Sequence, residues 1–95
     1  MDLRDVRKKF DAFEWDTVEI DGHDMAAVVE ALEWSRDRPR PAAVVCQTKK
    51  GCGVSLMENT FGFHGKPPTP EQAERALIEL EETLRVQEEA LGIKR

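Results

Sequence analysis

The sequence predicts an α/β fold built on parallel strands, with elements in the order α-β-α-β-loop-α. Three observations lead there. Apolar residues recur at helical intervals in three separate segments. Two short stretches between and after the first two of them have strand character. The second stretch, residues 42–46, is a continuous small and β-branched run of the kind found in strands covered on both faces of a parallel sheet.

The elements follow in order. Leu3, Val6, Phe10 and Phe13 are spaced by three and four, as on one face of a helix, and Trp15 closes that segment. Residues 17–20 (Thr-Val-Glu-Ile) alternate and read as a short strand. Asp21, Gly22, His23 and Asp24 are turn chemistry, with Asp24 a good N-cap. Met25, Val28, Val29 and Leu32 mark a second helix, which Pro39 and Pro41 prevent from continuing. The strand at 42–46 comes next, and after it a polar loop. Thr69 then serves as N-cap, Pro70 fits the first helical position, and Gln72 completes a capping box. Ala73, Leu77, Leu80, Leu84 and Leu91 face one way along this third helix. Gly92 ends it, and Lys94 and Arg95 suit a helix C-terminus.

Length and composition set bounds. At 95 residues the chain is one small domain, residues 1–95, able to bury a core with little surplus stability. A 35% charged and 40% hydrophobic composition fits a globular protein. The net charge of −5 argues against nucleic acid or an anionic membrane as partner. The N-terminal segment is charged and amphipathic, unlike a signal peptide or a membrane span, so a cytoplasmic location is expected. Cys46 and Cys52 have no zinc spacing and are expected as free thiols, Cys46 in core packing. Two strands alone cover a parallel sheet poorly, since sheets usually hold about five or six. The missing strands are expected from another chain or from a longer one.

The loop over residues 48–66 carries the chemistry. Lys49 and Lys50 run into Gly51 and Gly53, and the loop ends in His64, Gly65 and Lys66. Glycines let backbone N–H groups approach a phosphate, and a lysine adds a point charge. The stretch therefore reads as an anion site. The phosphate loop of nucleotide triphosphatases is absent: Pro67 follows Gly65-Lys66, and the earlier glycine is not at the required distance. His23 between Asp21 and Asp24 has too few neighbours for a metal site and reads as turn chemistry. Glu71, Glu74, Glu79, Glu81, Glu82, Glu88 and Glu89 read as a solvated helix face.

Three motifs in register then point to a family. Phe13-Glu14-Trp15-Asp16 followed by residues 18–24 is similar to the AFGWD…EIDGHD stretch of transketolases. Residues 48–55, Thr-Lys-Lys-Gly-Cys-Gly-Val-Ser, resemble their KTxKGxGVS loop. Met57-Glu58-Asn59, with Phe63-His64-Gly65-Lys66 after it, resembles their MEN…WHGK segment. The resemblance covers about residues 9–80 and is closest to the N-terminal, thiamine diphosphate-binding subunit of split transketolases. The chain departs from the pattern at Glu14 (a family glycine), at Cys52 and at Phe63 (a family tryptophan).

The resemblance implies a partial thiamine diphosphate-binding fold, namely the C-terminal third of that domain. It implies part of a transketolase reaction, the transfer of a two-carbon ketol unit between sugar phosphates. His64 would lie at the active site against diphosphate and substrate oxygens, as catalytic and cofactor-binding residue. Lys50, Gly51 and Gly53 would line the cofactor cleft. From the residues alone His64 reads as a loop histidine beside Gly65, and Lys50 reads equally as a solvated surface lysine. Lys49 and Lys66 read as solvent-facing, and a catalytic role for Cys52 is not expected. The family's GDG metal motif is absent from these residues, so Mg²⁺ would be bound by residues outside them. A complementary transketolase chain, or self-association, is therefore the expected partnership. The competing reading is a non-catalytic structural piece or a truncated remnant.

Overall fold

The computed structural model describes residues 2–93 and divides the chain into two compact units, Met1–Thr48 and Lys49–Arg95. The first unit runs α1 (Val6–Ala12), β1 (Asp16–Asp21), α2 (Met25–Arg36), β2 (Ala42–Gln47). The second contains the loop, a 3₁₀ turn (Phe61–His64) and α3 (Pro70–Leu91). The α/β class and the element order are those the sequence predicts.

In the first unit β1 and β2 lie side by side and parallel, with Asp16 opposite Ala42 and Asp21 opposite Gln47. The intervening α2 makes the crossover that parallel neighbours require. Each helix begins where its cap dictates. Asp5 accepts from the Lys8 amide at 2.9 Å, so α1 starts three residues beyond Leu3 and leaves Leu3 exposed. Asp24 accepts from the Ala27 amide at 3.2 Å and starts α2, as expected. Between them, the His23 amide donates to Asp21 Oδ1 at 2.9 Å, the turn chemistry expected of that segment. Gly22 is needed there because β2 comes very close: a Cβ would sit 2.7 Å from Thr48 Cγ2 and 2.9 Å from Cys46 Cβ. Arg40 reaches back to Asp16 Oδ1 at 2.6 Å, bracing the entry to both strands. The hydrogen bond it donates to Asp16, and then the Asp16 charge, raise the Arg40 guanidinium above its ordinary pKa. Gln47 Nε2 donates to Glu19 Oε1 at the other end of the pair.

One expectation fails on β2. Its residues from Ala42 to Val45 are only half-buried, and Cys46 is exposed rather than packed in a core. The reason is that, among the described residues, β1 is the sole strand paired with β2, and α1 and α2 are the elements packed on the pair. A strand suited to cover on both faces thus has incomplete cover.

In the second unit α3 carries the complete capping box. Thr69 Oγ1 accepts from the Gln72 amide, and Gln72 Oε1 accepts from the Thr69 amide. Gly92 closes the helix at φ 72°, with its amide on the Glu89 carbonyl and that of Ile93 on the Glu88 carbonyl, which satisfies two of the last orphan carbonyls. The expectation for Lys94 and Arg95 lies outside the described residues. The apolar stripe is present but uncovered, with Leu77, Leu80, Leu84 and Leu91 all exposed. Among the described residues the buried hydrophobic side chains are Ala31 in the first unit and Ala76 in the second.

Candidate functional site

After β2 the chain folds back on itself within the second unit. Successive turns are held by Cys52 N to Lys49 O, Val54 N to Gly51 O and Met57 N to Val54 O. The Asn59 amide then donates to the Lys50 carbonyl at 2.8 Å and closes the loop. Gly51 sits at φ 69°, and a Cβ there would lie 2.6 Å from the Met57 carbonyl oxygen. No other residue fits this position without moving the backbone opposite. Gly53 is at φ 92°, again a glycine conformation, and its amide donates to Glu58 Oε1 at 3.2 Å. The visible work of both glycines is to shape the loop. The Gly53 N–H is engaged by a carboxylate rather than open to an anion.

Glu58 also pairs through Oε2 with Lys49 Nζ at 3.6 Å, so Lys49 is tied to the loop and not simply solvent-facing. Ser55 fastens the loop to α3: its amide and hydroxyl donate to the Glu79 carboxylate at 3.0–3.2 Å. Glu79 therefore departs from the solvated face to which sequence spacing assigned it.

The 3₁₀ turn brings the far end of the loop back to its beginning. Lys50 Nζ lies 2.9 Å from His64 Nδ1, across fourteen positions of sequence. The Phe61 ring stacks on the His64 imidazole, with centroids 6.1 Å apart and planes at 17°. Lys50 Nζ also lies 5.7 Å from the Phe61 centroid, within cation–π range. Lys50, Phe61 and His64 are all exposed, so the cluster is open to a ligand. One ammonium and one imidazole presented together suit anionic oxygens, such as those of a diphosphate. The donor set therefore fits the phosphate end of a cofactor. It does not fit a metal: among the described residues no three His, Cys, Asp or Glu side chains gather into a metal-holding group.

Of the site residues expected from sequence, Lys50 and His64 come together, and Gly51 and Gly53 shape the loop that starts beside Lys50. Lys66 is exposed. Sequence reasoning missed Phe61, Glu58 and Glu79. The three-residue spacing of Phe61 and His64 in a single helical turn was the available signal for the first. Glu79 lies 24 positions from Ser55, and no local pattern announces such a contact.

Comparison with known proteins gives the chain its family. Residues 2–87 match the family model described as transketolase, thiamine diphosphate binding domain. The chain is 38% identical over 74 residues to transketolase-like protein 2 of Homo sapiens, covering 77% of this chain and 12% of that protein. It is 36% identical over 75 residues to a subunit of the apulose-4-phosphate transketolase of Actinobacillus succinogenes, covering 79% of this chain and 27% of that one. With the corresponding subunit of the apulose-4-phosphate transketolase of Phocaeicola vulgatus it shares 32% identity over 87 residues, 88% of this chain and 30% of the relative. The chain thus spans less than a third of each of these relatives. With a family model matched across most of its length, the chain belongs to the transketolase thiamine diphosphate-binding domain family.

Proposed function

We propose that this chain works as one piece of a thiamine diphosphate-dependent transketolase, in assembly with a complementary chain. The reaction is the transfer of a two-carbon ketol unit from a ketose phosphate to an aldose phosphate. The observation that carries this reading is the 2.9 Å approach of Lys50 to His64, which joins the ends of two family motifs into one donor cluster. When bound, thiamine diphosphate supplies the carbanion-stabilising chemistry. This chain's share is to present Lys50 and His64 to diphosphate and substrate oxygens and to hold both on a loop fixed by Gly51, Glu58 and Glu79. Mg²⁺ would be held by residues outside this sequence, in which no Gly-Asp-Gly motif occurs. Two relatives are named as single subunits of a transketolase, which favours a split enzyme.

A rival reading, a non-catalytic remnant, draws on the absence of a Gly-Asp-Gly motif from these residues. Calorimetric titration with thiamine diphosphate and magnesium separates the two, run on the chain by itself and mixed with a chain that carries Gly-Asp-Gly. The split enzyme predicts negligible binding by the single chain, and both binding and ketol transfer in the mixture. Micromolar binding by the single chain would remove the need for a partner. A mixture that binds nothing and transfers nothing would leave the remnant.

A further inference from the structure

The contact between Lys50 and His64 has a chemical direction. A lysine ammonium carries three donors and no acceptor. At 2.9 Å from Nδ1 it donates, so Nδ1 is the acceptor nitrogen of a neutral imidazole. The ring proton then sits on Nε2. A doubly protonated ring would set an N–H against the ammonium, so the contact belongs to a single tautomer. Which ring nitrogen bears the proton is set by the bond the other one makes.

Something must hold an exposed lysine in this place, because a free lysine side chain gives up rotamer entropy when fixed. Phe61 lies beside both partners. It stacks on the imidazole at 6.1 Å and takes the ammonium over its ring at 5.7 Å. It is 83% exposed, so no buried packing among the described residues holds it there. Thr60 and Gly65 bound the 3₁₀ turn that carries both rings, and the backbone bond from Phe63 N to Thr60 O fixes its first step.

We propose that Phe61 is a positioning residue that seats Lys50 on His64 Nδ1, and that the pair locks His64 as an Nε2–H donor. The inference rests on the reading of His64 as the residue facing diphosphate and substrate, and it says how it acts there. In this tautomer His64 offers one N–H to an anionic oxygen. It does not take a proton at Nε2, so its part is to stabilise charge and not to serve as a general base.

Nitrogen-15 NMR of the imidazoles tests the lock on the full 95-residue chain without cofactor, at a pH where the ring is neutral. With two histidines in the sequence, His23→Gln assigns the signals. His64 should show an unprotonated Nδ1 and a protonated Nε2, in one tautomer. Lys50→Met and Phe61→Ala should each give averaged tautomers, and Phe61→Trp should restore the single one. Circular dichroism checks that the helices persist in each variant. An averaged ring in the parent chain would overturn the lock, and a parent-like ring in Phe61→Ala would overturn the role of Phe61. Because no cofactor enters this measurement, its failure is distinct from a failure of the calorimetric test of the enzyme assembly.

Discussion

Glu14 turns the chain from α1 into β1 at φ 66°, its amide on the Asp11 carbonyl. A side chain in the left-handed region costs roughly 1–2 kcal/mol, which glycine avoids. The family motif has glycine at this position, and here the turn persists without it. Glu14→Gly should therefore stabilise the first unit by about 1 kcal/mol, after the greater unfolded-state freedom of glycine offsets part of the gain. A higher urea midpoint at unchanged slope is the expected result; an equal or lower midpoint would mean the turn holds no strain. At the site, His64→Ala in the assembled enzyme should remove a donor worth about 2–4 kcal/mol to charge in the transition state, a fall of roughly two to three orders of magnitude in kcat/KM. The His23 amide is held by Asp21 in the turn before α2, so His23→Ala should act mainly on stability. Equal kinetic losses at both histidines would remove His64 from its assigned place.

Among the elements, α3 was the most legible, because its signals are local. Thr69, Pro70, Gln72 and Gly92 each act within a few residues of their own position, and the helix runs between them as predicted. Thr69→Ala should cost about 1 kcal/mol. Hydrogen exchange is expected to speed up in the first turn of α3 and to stay unchanged near Gly92; uniform loss along the helix would mean the cap governs more than its end. The strands were legible in kind and in position to within a residue at each end. Their parallel pairing followed from the helix between them. Burial was less legible. The run at 42–46 states what a strand is suited to, not what surrounds it, and so Cys46 was assigned to a core that it does not enter. The loop was half legible. Lys50 and His64 stood out through their motifs, but Glu79 holds Ser55 from another element, and only folding reveals that contact.

Across the molecule, apolar surface exceeds what the described residues cover. Phe13, Met25 and Leu32 are exposed in the first unit, and Leu77, Leu84 and Leu91 in the second. Exposed apolar groups in such number mark surfaces that associate. β2 adds half-buried apolar residues from Ala42 to Val45, and an uncovered strand edge recruits other chains. The free chain should accordingly self-associate and bind an apolar dye, with sedimentation rising with concentration. Addition of the complementary chain should reverse both. A monodisperse monomer with a sharp melt and no dye binding would show that residues 1–95 need no further cover.

The bond from the Asn59 amide to the Lys50 carbonyl gives the loop a further property. Lys50 and Asn59 meet, and the backbone bonds from Val54 to Gly51 and from Met57 to Val54 make turns between them. Such a segment is a closed ring in all but its covalent chemistry. Anchors from outside it, Lys49 on Glu58 and Glu79 on Ser55, complete its hold, so a different ring of equal span spliced in at Lys50 and Asn59 would have to keep Ser55 and Glu58.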